Sequence, residues 1–162
     1  MKKIAYLITL LVFAISCQTT NYYVVRHAEK AKEPRQDPPL TTEGEQRAER
    51  LKEIMLSKDI EKVFSSNYVR TKETARPTAE ALNLTLELYD PGGQDSFVSA
   101  LKTMKKNTLV VGHSNTIRYV INGLMESDTL KQDLQDDEYS NLFIIKRYNS
   151  PKRKPVFERV EF

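Results

Sequence analysis

The 162-residue chain predicts an α/β fold in three layers, a mostly parallel sheet with helices on both faces. Two observations carry this expectation. Short apolar runs rich in β-branched and aromatic residues alternate with longer stretches whose apolar positions recur every three or four residues. Polar and basic residues then gather directly after several of the apolar runs. Parallel strands joined by helical crossovers place their ligands at those carboxyl ends.

Each element has a local reason. Tyr22-Tyr23-Val24-Val25 reads as a buried first strand, and Ala31 to Pro39, with three prolines and many charges, reads as a loop. Thr42 followed by Glu45 has the spacing of a capping box, and Ala48, Leu51 and Met55 continue at helical spacing to about Ser57. Lys62-Val63-Phe64-Ser65 is the second strand. A helix from Tyr68 to Leu82 follows, with Pro77 expected to bend or restart it. Thr85 to Leu88 is a third strand, and Pro91-Gly92-Gly93 turns the chain. Phe97, Leu101 and Met104 mark a helix, Thr108 to Val111 a fourth strand, and Asn115 to Leu124 another helix. Leu142 to Ile145 and Val156 to Phe162 read as closing strands, antiparallel to one another.

The first residues carry a different signal. Lys2 and Lys3 precede an apolar run from Ile4 to Ile15, too short for a bilayer-spanning helix. Small residues then lead into Cys17, the sole cysteine. This resembles a bacterial lipoprotein signal, with Ala14 where Leu is more usual, and implies lipid attachment at Cys17. Residues 1–16 are then a signal peptide, 17–21 a lipidated tether and 22–162 the folded domain, anchored to a membrane after export. An acylated sole cysteine leaves no disulfide, so the core must hold the fold alone. Residues 1–16 contain two of the 25 basic residues and none of the 22 acidic ones, so the remainder is close to neutral. That balance argues against nucleic acid and against a broad membrane-binding face. Lys152-Arg153-Lys154 reads as a solvated turn.

The polar strand ends suggest one chemistry. Arg26-His27 follows the first strand, Ser65 and Ser66 lead to Arg70, and Gly112-His113-Ser114 ends the fourth strand. Both histidines of the chain therefore fall at one sheet edge with two arginines. Guanidinium forks fit a phosphate dianion, a neutral imidazole is a nucleophile toward phosphorus, and a second imidazole can donate to the equatorial oxygens. Ser114 opens a helix whose N-terminus favours an anion. Two histidines among cations are poor metal ligands, and the set asks for neither metal nor cofactor.

At these residues the sequence resembles the histidine phosphatase superfamily, with its phosphoglycerate mutase-like fold. The resemblance lies in Arg26-His27, in Ser65-Ser66 with Arg70-Thr71-Lys72-Glu73-Thr74-Ala75, and in Val110-Val111-Gly112-His113-Ser114. Ala28 stands where the family usually has Gly. The resemblance implies a phosphorylated nucleophile at His27, a phosphate pocket of Arg26, Arg70 and His113, and a carboxylic acid after the third strand. Asp90 holds that place, with Glu29 and Asp95 as alternatives; for Glu29 an ion pair orienting an arginine is the other reading. Substrates are expected to be phosphorylated small molecules or phosphoproteins. The rival from another class is a phosphate-binding lipoprotein without turnover, against which an intact His27 argues.

Overall fold

The computed structural model describes residues 19–150 and 152–162, so Cys17 and the signal-like segment lie outside the described residues. Six strands and four helices alternate: β1 Thr19–Arg26, α1 Thr42–Met55, β2 Lys62–Ser66, α2 Val69–Ala81, β3 Leu86–Tyr89, α3 Gln94–Met104, β4 Thr108–Gly112, α4 Ser114–Met125, β5 Asn141–Tyr148 and β6 Val156–Glu161. They form one sheet of order β3-β2-β4-β1-β5-β6. The first four of these are mutually parallel, and β5 and β6 close the sheet antiparallel.

Alternation along β1 divides the core in two. Tyr22 and Val24 join Leu101 of α3 and Ile117, Ile121 and Leu124 of α4 on one face. Tyr23 and Val25 join Leu51 and Met55 of α1 and Ala75 and Ala79 of α2 on the other. The expected three layers are therefore present, with two helices on each face. Among the described residues, no helix is long and apolar enough to cross a membrane.

Three boundaries differ from expectation. β1 begins at Thr19, because Thr19, Thr20 and Asn21 pair with Tyr148, Arg147 and Lys146 of β5. Residues 19–21, expected as tether, are thus built into the sheet. Thr41, one residue before the expected Thr42, caps α1; its extended backbone lets its Oγ1 accept from the Gly44 N–H at 3.1 Å. Helix α2 runs through Pro77 as one segment.

Gly44 couples this scaffold to the loop after β1. A Cβ there would lie 2.3 Å from the main-chain oxygen of Glu29. That carbonyl also accepts from the Thr41 N–H at 2.8 Å, so helix and loop meet backbone to backbone. Gly44→Ala is expected to force them apart and to cost about 1–3 kcal/mol of stability, read from the urea midpoint. Ser57→Ala, on an exposed hydroxyl at the far end of the same helix, is expected to change it little.

Candidate active site

The parallel register pairs Arg26 of β1 with Gly112 of β4. The His27 N–H donates to the Gly112 carbonyl at 2.9 Å, extending that pairing by one residue. The next residues of the two chains are thereby neighbours, and the His27 and His113 rings lie 5.5 Å apart at 67°. Gly112 itself admits no side chain, since a Cβ would meet the Tyr89 hydroxyl at 2.5 Å and Thr116 Oγ1 at 2.8 Å.

His27 is buried, and its Nδ1 lies 2.8 Å from the Ala28 carbonyl. A carbonyl only accepts, so Nδ1 carries the proton and Nε2 keeps a lone pair. Burial pushes the imidazole down to about 3; Arg26, His113 and Arg70 push the same way, and the bond to Ala28 opposes them. His27 is thus a neutral imidazole of fixed tautomer at ordinary pH, with a lone pair left on Nε2.

His113 is also neutral, pushed down to about 4 by burial and then by Arg70 and Arg26. Arg70 Nη2 donates to its Nδ1 at 3.4 Å, so its Nε2–H donates to Ser66 Oγ at 2.9 Å. Ser66 Oγ donates to Thr71 Oγ1 at 3.0 Å, and Thr71 donates to the Ser66 carbonyl at 2.8 Å. This chain of donors fixes the His113 ring and ends on main chain.

The arginines are held at their forks. Arg26 Nη1 donates to the carbonyls of Gln135 and Asp136 at 2.7 and 3.2 Å, and its guanidinium lies 4.4 Å over the Tyr139 ring. Arg70 Nη1 donates to Asp37 Oδ1 at 3.4 Å, and its guanidinium lies 4.6 Å over Tyr68. Asp37 also accepts the Val69 N–H at 2.9 Å, so this loop carboxylate caps α2 and steadies Arg70 together. The Nε–H groups of both arginines are buried and have no hydrogen-bond partner among the described residues. Buried cationic donors without partners are groups that an anion would satisfy.

The remaining expected residues divide. Ser114 opens α4 beside His113, whose own N–H donates to Thr116 Oγ1 at 2.9 Å. A cavity of about 330 Å³ next to His113 and Arg70 is lined also by Tyr68, Pro91, Gly92, Gln94, Asn115 and Thr116. Asp90 lies one residue outside that lining, exposed, and its Oδ1 accepts the Gly92 N–H at 2.8 Å. Asp95 sits on α3 and lines a different cavity with Tyr119 and Asn122. Glu29 is gripped by Arg47, with Nε–Oε1 2.8 Å and Nη2–Oε1 2.6 Å. Burial pushes the Glu29 carboxyl up, but Arg47 outweighs it and holds it below the ordinary carboxylate range. Its place is the ion pair. No group of three or more His, Cys, Asp or Glu is arranged to hold a metal ion among the described residues.

The model of the histidine phosphatase superfamily (branch 1) matches residues 22–91, a stretch that includes Arg26, His27 and Arg70. That is the family the comparisons support. The probable phosphoglycerate mutase GpmB of Escherichia fergusonii is 31% identical over 107 residues, 62% of this chain and 49% of the relative. The chain thus spans about half the length of the curated relative it matches. Among solved structures, the protein histidine phosphatase SixA complexed with tungstate superposes with a TM-score of 0.66 at 19% identity, covering 88% of this chain and 97% of that one. A phosphoserine phosphatase mutant from Entamoeba histolytica, in complex with phosphoserine, gives 0.64 at 16% identity and coverages of 85% and 94%. A mycobacterial glucosyl-3-phosphoglycerate phosphatase gives 0.65 at 10%, with 89% and 98% covered. These neighbours share the fold, and the relatives so found are named as phosphatases or as a mutase.

Asp37, Tyr139 and the Gln135–Asp136 carbonyls carry no signal in the sequence, and Thr74 is marked there only as part of a motif, without a role. The Ala28 N–H donates to Thr74 Oγ1 at 2.9 Å, and Thr74 donates to the Arg70 carbonyl at 2.7 Å. One hydroxyl thus ties the loop after His27 to the first turns of α2. Thr74 lies within the Arg70-to-Ala75 motif, which was the available signal; main-chain carbonyls carry none.

The depressed histidines set a pH dependence. Their folded values lie below the ordinary histidine value of about 6.5, so protonation favours the unfolded chain. The stability they contribute is complete above that value and is lost as pH falls through about 4 and then about 3. The urea midpoint is expected to decline below pH 6 more steeply than in His27→Gln. A bound tetrahedral oxyanion should reverse the shift at His113, raising its NMR titration midpoint by about one pH unit or more on addition of tungstate.

Proposed function

We propose that the protein is a metal-independent phosphatase that hydrolyses phosphomonoesters or phosphorylated proteins through a phosphohistidine on His27. One observation carries the reading: a buried neutral imidazole with a free Nε2 stands beside two arginines whose buried Nε–H groups lack partners. A bound phosphoryl group would satisfy both donors, while His113 and the N-terminus of α4 face its remaining oxygens.

The chemistry then follows in two steps. His27 Nε2 donates its lone pair to phosphorus as the bond to the leaving oxygen breaks, giving a phosphoimidazole and an alkoxide or alcohol. Arg26 and Arg70 neutralise the equatorial oxygens, where charge spreads in the transition state. Water next attacks phosphorus on the opposite side, the phosphorus–nitrogen bond breaks, and phosphate leaves with His27 restored. The anion raises the proton affinity of His113, which moves toward its protonated, donating form while substrate is bound. Asp90 is proposed to protonate an alkyl leaving group, moving from the Gly92 N–H to do so. Membrane attachment through Cys17 completes the proposal, supported by the lipoprotein-like boundary at that residue.

The test is acid-quench labelling with a phosphomonoester carrying radioactive phosphorus. Acid-labile label on the wild type and its loss in His27→Ala, with turnover falling at least a thousandfold, are the expected results. Label retained in His27→Ala refutes the assignment. Arg70→Lys keeps the charge but not the fork, and kcat/KM should fall about tenfold or more. Asp90→Asn should lower turnover of alkyl phosphates while sparing p-nitrophenyl phosphate, whose leaving group needs little protonation; equal losses on both would assign the effect to the turn.

A further inference from the structure

The end of the sheet opposite His27 carries a second feature. β1 is eight residues long, so its start lies about 25 Å from the nucleophile. Beside that start is a cavity of about 530 Å³, lined among others by Lys102, Lys105, Arg147, Arg153 and Lys154. Glu126 is the single carboxylate among the lining residues, and it is shared by Lys102 at 3.0 Å and Arg147 at 2.9 Å. Lys105 and Lys154 are exposed and have no ion-pair partner among the described residues. Arg153 lies over the Tyr148 ring at 3.8 Å. Val156, two residues past Lys154, is 51% exposed. The part of the chain after residue 16, close to neutral overall, thus concentrates positive charge on one end, together with an exposed apolar side chain.

We infer that this basic end is a docking surface for anionic phospholipid headgroups, which seats the domain on the bilayer with the His27 site facing away. The inference rests on the proposed lipid anchor at Cys17. Gln18 alone separates that residue from Thr19, which is already paired with Tyr148 in the sheet. A lipid at Cys17 therefore has no slack, and the end of the sheet that bears the basic cavity must lie against the headgroups. Juxtamembrane lysines and arginines gain from a negative surface, and each near-surface charge strengthens attachment. Phosphates at the headgroup level meet Lys105, Arg153 and Lys154, and Val156 reaches toward the glycerol layer. The opposite polarity, with the catalytic edge against the bilayer, would hold the anchor and the basic end together about 25 Å away from it.

The experiment compares two full-length chains, Cys17→Ser alone and Cys17→Ser with Lys105→Glu and Lys154→Glu. Both share residues 1–18, so whatever these contribute to binding cancels. Cosedimentation is measured with phosphatidylcholine vesicles, with and without phosphatidylglycerol. The charge-reversed chain is expected to bind the anionic vesicles at least tenfold more weakly. The difference should shrink as salt rises, and turnover of p-nitrophenyl phosphate should be equal in the two chains. Equal binding of the two chains to anionic vesicles overturns the inference. So does displacement by millimolar glycerol phosphate, which would make the cavity a site for a small free anion. The anchor is read separately, by incorporation of labelled palmitate into the wild type. Missing label with a preserved preference for anionic vesicles would remove the anchor and leave the surface standing.

Discussion

The bond from the His27 N–H to the Gly112 carbonyl is the constraint on which the site depends. It continues the β1–β4 pairing past the last regular rung and brings the two histidines to adjacent strand ends. Parallel strands supply this for geometric reasons, since both chains leave the sheet in the same direction. Burial follows from the same arrangement. The His27 ring lies 6.1 Å from the Tyr139 ring, the next residue is bonded to Thr74 of α2, and the loss of water holds both imidazoles neutral. The neutrality of His27 is thus a property of the sheet's topology as much as of the residue.

Around that bond the structure spends polar side chains on holding backbone. Thr74 bridges Ala28 and Arg70, Glu73 accepts from the Leu40 N–H at 2.8 Å, and Asp37 caps α2. Arg47 holds Glu29 and also donates to the Phe162 carbonyl at 2.8 Å. None of these touches the reacting atoms. Each removes a freedom from a segment near the site's arginines and histidines, which in the proposed reaction would lower the reorganisation needed as charge develops.

How much of this was legible depends on whether the information was periodic. The strands and helices announced themselves through alternation and three-to-four spacing, and the apolar runs located both histidines at strand ends. Arg26, His27, Arg70 and His113 could be gathered on paper because each adjoins a regular element. Asp37 could not, because the proline-rich loop around it has no period and its partner is an amide N–H 32 residues away. Tyr139 lies in an equally irregular stretch. The start of β1 was misjudged for a related reason: Thr19, Thr20 and Asn21 are polar, and their strand character comes from pairing with β5. Asp90 shows the converse, a residue placed correctly along the chain whose carboxylate is occupied by its own turn.

The grip on Arg26 is made by main-chain carbonyls at positions 135 and 136 rather than by side chains. Almost any amino acid can present a carbonyl. The identities of those two residues are therefore released from the duty of orienting the arginine, although the path of the chain is not. Asp136 in particular is fully exposed in its side chain, at the rim beside Arg26. Mutational drift along this stretch can thus alter the surface beside Arg26 while the arginine itself stays in register. In that division, the position of the guanidinium is kept by backbone geometry, and the side chains around it are left free to vary.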